Sequence, residues 1–251
     1  MTCSPQKPVL LASLWKATLN LLLPPRCIGS GRVVDAPGML SPAFWSTLSF
    51  IDAPFCDTCG TPFGFGAVAG TICAECLDNA PEFDRARSAV VYNDASRKLV
   101  IDFKYGDRLH AVQTFTPWLA RAGAELLAGA EVVLPVPLHY RRLWQRRFNQ
   151  SAILGEALAR HTGKAFLPDG LIRRRHTDKQ KGLSRKERHE NVRGAFAVNE
   201  KANLRGQNIV LVDDVFTSGA TLNECARVLK KAGAGEVYVL TIARVTRDEV
   251  L

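Results

Sequence analysis

Residues 209–221 read Ile-Val-Leu-Val-Asp-Asp-Val-Phe-Thr-Ser-Gly-Ala-Thr, an apolar run ending in two adjacent acids and followed by a small hydroxylated loop. Ile209, Val210, Leu211 and Val212 show no polar alternation, the pattern of a strand buried on both faces, and Leu222, Cys225, Ala226 and Leu229 then recur at helical spacing. The loop therefore joins a strand to a helix. The backbone N–H groups of Thr217, Ser218, Gly219, Ala220 and Thr221 open that helix without intrahelical acceptors, Gly219 permits close approach of the backbone, and the helix dipole favours an anion. Asp213 and Asp214 lie just upstream, where carboxylates can accept hydrogen bonds from a ribose diol. A phosphate at one end and hydroxyls at the other describe a ribose 5-phosphate ligand. Adjacent acids at a strand end can also merely cap the following turn. The acids, loop, strand and helix occurring in this order favour the ligand site.

Working outward, strand and helix patterns alternate. Residues 88–92 read as a short strand, 96–103 and 112–127 as helices, and 131–136 as a strand running into Pro135-Val136-Pro137. Residues 149–161 form a helix with Ile153, Leu154, Ala157 and Leu158 on one face and Gly163 as its stop, and 237–243 give another continuous apolar strand. This alternation predicts an α/β fold with a parallel sheet covered on both faces. Ligands of such sheets collect at the carboxyl ends of the strands, so the loop at 137–142 and the one at 213–221 should meet there. His161, in the last turn of its helix, and Cys225, on an apolar face, have structural explanations.

With 251 residues, 47% of them hydrophobic and 23% charged, the chain can bury one large core and carry a small appendage. We expect the division at 1–82 and 83–251. The longest apolar stretch, 9–23, is interrupted by Lys16 and Asn20, which suits an amphipathic helix better than a membrane span. No secretory cleavage pattern follows it, so a cytoplasmic location is expected. Cys56, Cys59, Cys73 and Cys76 have the spacing C-x2-C-x13-C-x2-C, with Gly60 directly after the first pair. Two such knuckles aim four thiolates at one point and form a closed, structural Zn²⁺ site with no position left for water. Disulfides would suit an exported chain instead.

The net charge of +9 is concentrated. Residues 139–193 hold 15 Lys and Arg against 5 Asp and Glu, which leaves the rest of the chain close to neutral. Such a segment suits a polyanion, diphosphate or nucleic acid, or is simply a solvated loop. Tyr140, Trp144 and Phe148 interleave with Arg141, Arg142, Arg146 and Arg147. That interleaving fits a single-strand stacking platform, while the four-residue spacing fits a core-facing helical stripe equally well.

The stretch 209–221 resembles the phosphoribosyl pyrophosphate (PRPP) motif of type I phosphoribosyltransferases. The wider chain is similar to the ComF family of competence proteins. This likeness rests on the Leu-Leu-Leu-Pro-Pro-Arg-Cys opening, the cysteine pairs, Leu134-Pro135-Val136-Pro137-Leu138, Arg147-Phe148-Asn149-Gln150, and a loop carrying Gln180, Gly182, Leu183, Ser184 and Arg185. The resemblance implies a type I phosphoribosyltransferase fold with an N-terminal zinc-ribbon-like region, and an association with incoming single-stranded DNA and competence proteins. It implies PRPP bound with Mg²⁺, the ribose diol held by Asp213 and Asp214, and the 5-phosphate by Thr217, Ser218, Gly219, Ala220 and Thr221. Diphosphate would lie on Pro137, Leu138, His139 and Tyr140, with Arg185 and Arg188 stabilising the departing charge. A non-catalytic PRPP or nucleotide sensor that grips single-stranded DNA is the competing expectation. The family commonly has a further set of cysteine knuckles, but here Cys27 is followed by Ser30, Ser41 and Phe44 at the matching positions. One zinc is therefore expected rather than two, with residues 27–54 held by apolar packing.

Overall fold

The computed structural model describes residues 23–64, 66–105, 109–140, 143–144, 147–175 and 184–246. The expected leading helix and the glycine-containing part of the basic loop, 176–183, lie outside the described residues.

The chain runs through two short helices, α1 (Pro42–Trp45) and α2 (Ala74–Asp78), before strand β1 (Arg85–Val91). Helices α3 (Asp94–Tyr105), α4 (Val112–Ala122) and α5 (Ala124–Gly129) lead to β2 (Val132–Pro135) and α6 (Gln150–Thr162). The short strands β3 (Ala165–Phe166) and β4 (Leu171–Arg173), helix α7 (Arg185–Val192) and strand β5 (Phe196–Val198) come next. The chain then forms β6 (Ile209–Phe216), α8 (Ala220–Lys231) and β7 (Val237–Arg244). Five strands make a parallel sheet in the order β1-β7-β6-β2-β3, and β4 and β5 pair antiparallel apart from it.

The continuous apolar runs have a simple cause. Val210, Val212, Leu240 and Ile242 point into one core, with Phe103, Phe115, Leu119, Leu154 and Leu158 of the covering helices. Ile209, Leu211, Val237 and Val239 point into the other, with Leu222, Cys225, Ala226 and Leu229 of α8. A strand covered on both sides has no polar face to alternate with.

Helix 112–127 of the sequence reading is two helices. The break falls at Gly123, where a Cβ would stand 2.4 Å from Leu240 Cδ2, so the chain passes too close to β7 for any side chain. Helix α6 starts and stops as its sequence indicates: the Asn149 side chain accepts the Ser151 N–H, and Gly163 closes the helix in the left-handed region at φ 69°.

The segment 27–54 is held by apolar packing, as the missing ligands led us to expect, and it lies on the α4 side of the sheet. Leu48 and Ile28 are buried in the first core, and Trp45, Phe50 and Trp118 form an aromatic cluster with centroid separations of 4.5 to 6.1 Å. Its knuckle backbone is nevertheless intact. Ser30 N–H points at Cys27 Sγ (3.4 Å) and Gly31 N–H at Cys27 O (2.9 Å), matching Cys59 N–H to Cys56 Sγ (3.5 Å) and Gly60 N–H to Cys56 O (2.8 Å). A hydroxyl pair, Ser30 Oγ to Ser41 Oγ at 2.9 Å, stands where two thiolates would be.

Candidate functional site

Strand β6 continues through both acids to Phe216, and its carboxyl end opens onto a cleft. Asp213, Asp214, Thr217, Gly219, Ala220 and Thr221 line it together with Pro137 and Leu138, and Lys104 and Arg173 are its cations. The two loops that strand-end logic paired do meet. Gly219 caps α8 in the left-handed region at φ 75°, and a Cβ there would come within 3.0 Å of the Phe216 ring, so both conformation and space call for glycine.

Three groups fix the acids. The Ser151 hydroxyl donates to Asp213 Oδ1 at 2.9 Å, the Asp214 N–H donates to the same oxygen at 2.9 Å, and Lys104 Nζ pairs with Asp214 Oδ1 at 2.9 Å. Burial and the neighbouring Asp214 charge push the Asp213 carboxyl up to about 7, against the opposing pull of Lys104 and Ser151. Ser151 is itself set by Asn149, whose amide also donates to Val136 O at 3.1 Å, while buried Gln150 donates to Lys104 O at 3.0 Å. Thus Asn149 and Gln150, read in the sequence as a helix start and as family marks, hold the end of β2 and the Lys104 backbone in register.

A carboxyl that titrates near neutrality gives a pH-dependent site. Below pH 6 Asp213 is largely protonated and offers a ligand diol one acceptor fewer; by pH 8 it is ionised. Affinity for a ribose phosphate is expected to rise about tenfold from pH 6 to pH 8, and calorimetry on Asp213→Asn should show this rise abolished. For the unliganded protein the sign is opposite. A raised carboxyl pKa favours the protonated folded state, so this group's contribution to stability falls as pH climbs from the ordinary carboxylate range to about 7.

Not every expected residue reaches the cleft. His139 is buried and Tyr140 is exposed, because the chain turns helical directly after Leu138, with Leu143 N–H donating to His139 O at 3.0 Å. Neither residue is among those lining the cleft, and nor is Ser218 of the 217–221 loop. Arg185 and Arg188 lie on α7, whose start is set by a capping box between Ser184 and Glu187. The Ser-x-x-Glu spacing was legible in the sequence and identifies this helix inside the basic segment. The turn after α7 is tied to α8: buried Glu224 accepts Gly194 N–H at 2.7 Å and holds Arg227 through two further bonds. Lys104 is the cation that sequence reasoning missed, since no motif surrounds it, while Arg173 was read only as part of the basic segment and not as a cleft residue.

The second centre lies beside β1. The ligand atoms of Cys56, Cys59, Cys73 and Cys76 all fall within 4.8 Å of one another, and Cys59 Sγ to Cys73 Sγ is 3.7 Å. Tetrahedral Zn–S bonds of ~2.3 Å require sulfur pairs about 3.8 Å apart, so the donor set fits zinc. The sulfurs already receive hydrogen bonds, from Cys73 N–H to Cys56 Sγ (3.3 Å) and from Arg244 Nη2 to Cys59 Sγ (3.3 Å). Burial raises the Cys59 thiol, but the Arg244 charge and the Thr61 hydroxyl outweigh it and bring it down to about 7. Ala86 N–H donates to Thr58 O (2.7 Å) and Ile51 N–H to Ala89 O (3.0 Å), so the ribbon is stitched along β1.

Two families match the chain: the Double zinc ribbon domain over residues 18–81 and the Phosphoribosyl transferase domain over 149–250. Competence protein F of Haemophilus influenzae is 32% identical over 205 residues, covering 76% of this chain and 85% of that protein. The DNA utilization protein YhgH of Escherichia coli (strain K12) is 29% identical, covering 77% and 85%. Competence protein ComFC of Bacillus subtilis is 29% identical, covering 79% and 81%. Among solved structures, an orotate phosphoribosyltransferase from Aeropyrum pernix aligns at a TM-score of 0.36 and 19% identity, over 62% of this chain and 68% of that one. No helix of the described residues is long and apolar enough to cross a membrane. A ribbon-borne cysteine cluster, a parallel sheet of phosphoribosyltransferase type and close relatives spanning both parts place this chain in the ComF family, that of Competence protein F, ComFC and YhgH.

Proposed function

We propose that the cleft binds PRPP and that the protein serves DNA uptake or nucleotide metabolism in the cytoplasm as a phosphoribosyltransferase. The observation that carries the reading is the single lining shared by two carboxylates, Thr217, Gly219, Ala220 and Thr221 of the helix-opening loop, and two cations. In this reading Asp213 and Asp214 accept from the ribose diol, while the N–H groups of residues 217–221 receive the 5-phosphate. The Leu138 N–H, in the loop that Pro137 opens, then faces the diphosphate, and Arg185 and Arg188 neutralise it as it leaves. The clustered carboxylate oxygens suit a hard cation, and Mg²⁺ would supply charge neutralisation of the diphosphate. The ribbon at 1–82 then serves as a zinc-held brace for the catalytic part at 83–251. The test is diphosphate release from PRPP in a panel of nucleobases and amines with Mg²⁺. Turnover with one acceptor is expected, and none with any acceptor would leave a binding protein.

One observation favours a second role, in single-strand binding. Trp144 is 90% exposed and Tyr140 63% exposed, so the helical spacing of 140 and 144 does not mark a core-facing stripe. Exposed rings beside a basic run are what stacking on unpaired bases requires. Trp144→Ala is expected to weaken oligo-dT binding by about 1–3 kcal/mol, with affinity falling steeply from 50 to 200 mM salt, measured by fluorescence anisotropy. Affinity indifferent to both would remove this role.

A further inference from the structure

We infer that Arg244 and Phe216 are positioning residues that make the phosphate loop depend on the zinc centre. Arg244 ends β7 and is buried, yet its guanidinium donates to both the carbonyl and the sulfur of Cys59, the latter at 3.3 Å. The same guanidinium lies over the Phe216 ring at 4.2 Å from its centroid. Phe216 ends β6, directly before Thr217, and its ring fills the space beneath Gly219, with Phe83 edge-on at 5.9 Å. Val245 N–H holds the Phe216 carbonyl at 2.9 Å, so the backbone there is pinned between the two strands.

Four contacts therefore lead from a metal ligand to the turn that opens α8. A buried guanidinium is tolerated when a compensating negative group is close, and here the thiolate of Cys59 is that group. The cation in turn seats the ring through its quadrupole and fixes the ring tip that Gly219 packs against. Without the metal, the cysteines lose the common point that aims Cys59 at Arg244; the guanidinium then loses its anchor, and the ring its lid. The zinc ribbon thus acts on the phosphate loop rather than only bracing β1. This inference deepens the PRPP reading and rests on it for the ligand, though the coupling itself can be observed without any ligand.

The test is amide hydrogen exchange, read by mass spectrometry, on peptides spanning 217–221 and, as control, 132–135. Zinc-loaded Arg244→Met is expected to exchange about tenfold faster than wild type at 217–221 with the control peptide unchanged, and to bind PRPP–Mg²⁺ about tenfold more weakly. Zinc affinity, measured by competition with a chromogenic chelator, should rise by the same factor when PRPP saturates wild type, and not in the variant, because coupling between sites is reciprocal. Should Arg244→Met lose zinc, Phe216→Leu cuts the relay one contact further on, away from the sulfurs, and is expected to show the same faster exchange. Wild-type exchange at 217–221 in a zinc-loaded variant overturns the relay. A zinc-loaded wild type that does not bind PRPP overturns the ligand assignment alone, and the exchange data still decide the coupling.

Discussion

Replacing Asp214 with alanine is expected to reduce PRPP binding at least ~100-fold, or about 3 kcal/mol, while the fold survives. Asp214 is buried at the carboxyl end of β6 and its partner is the Lys104 ammonium at 2.9 Å. Truncation removes an acceptor for the ribose and takes one carboxylate partner away from the Lys104 ammonium. Lys104 keeps some contact with water, so the cost to stability is discounted to about 1–2 kcal/mol, well below that of a fully buried broken pair. Asp214→Asn keeps the shape and should retain more stability than affinity. Calorimetry and thermal unfolding on the same samples separate the two effects. Equal losses in both would mean that the residue holds the fold and not a ligand.

Removing zinc is expected to have the largest effect on stability. Cys56 and Cys59 are buried in the same core as Ile209, Leu211 and α8, and the ribbon backbone is hydrogen-bonded along β1. A closed four-thiolate centre contributes folding free energy directly, so its loss should expose this face of the sheet. Chelation or Cys56→Ser is expected to lower the melting temperature by at least about 10 °C. Metal analysis should give about one zinc per chain. None would contradict the zinc site at Cys56, Cys59, Cys73 and Cys76, and two would contradict the assignment of Cys27, Ser30, Ser41 and Phe44 as a knuckle that keeps its turn but holds no metal.

Much of this was legible in the sequence because local chemistry and the global fold agree there. The run at 209–212 is continuous and apolar because β6 lies between two cores, and the cysteine spacing encodes two knuckle turns. Gly163 and Asn149 mark a helix whose ends fall where those residues place them. What escaped reading was tertiary. Nothing local says that Gly123 must pass beneath Leu240, or that Lys104 and Arg173 converge on one cleft from separate elements. That His139 and Tyr140 are not among the lining residues has a similar reason. The loop turns helical after Leu138, which buries one side chain and exposes the other.

The central claim is that one cleft grips a sugar phosphate between Asp213, Asp214 and the loop at 217–221. Titration calorimetry of PRPP with Mg²⁺ into the zinc-loaded protein tests it most directly. The account predicts one site per chain, competed by ribose 5-phosphate and lost in Asp214→Ala. Absence of binding at millimolar PRPP, or binding that Asp214→Ala leaves intact, would contradict it.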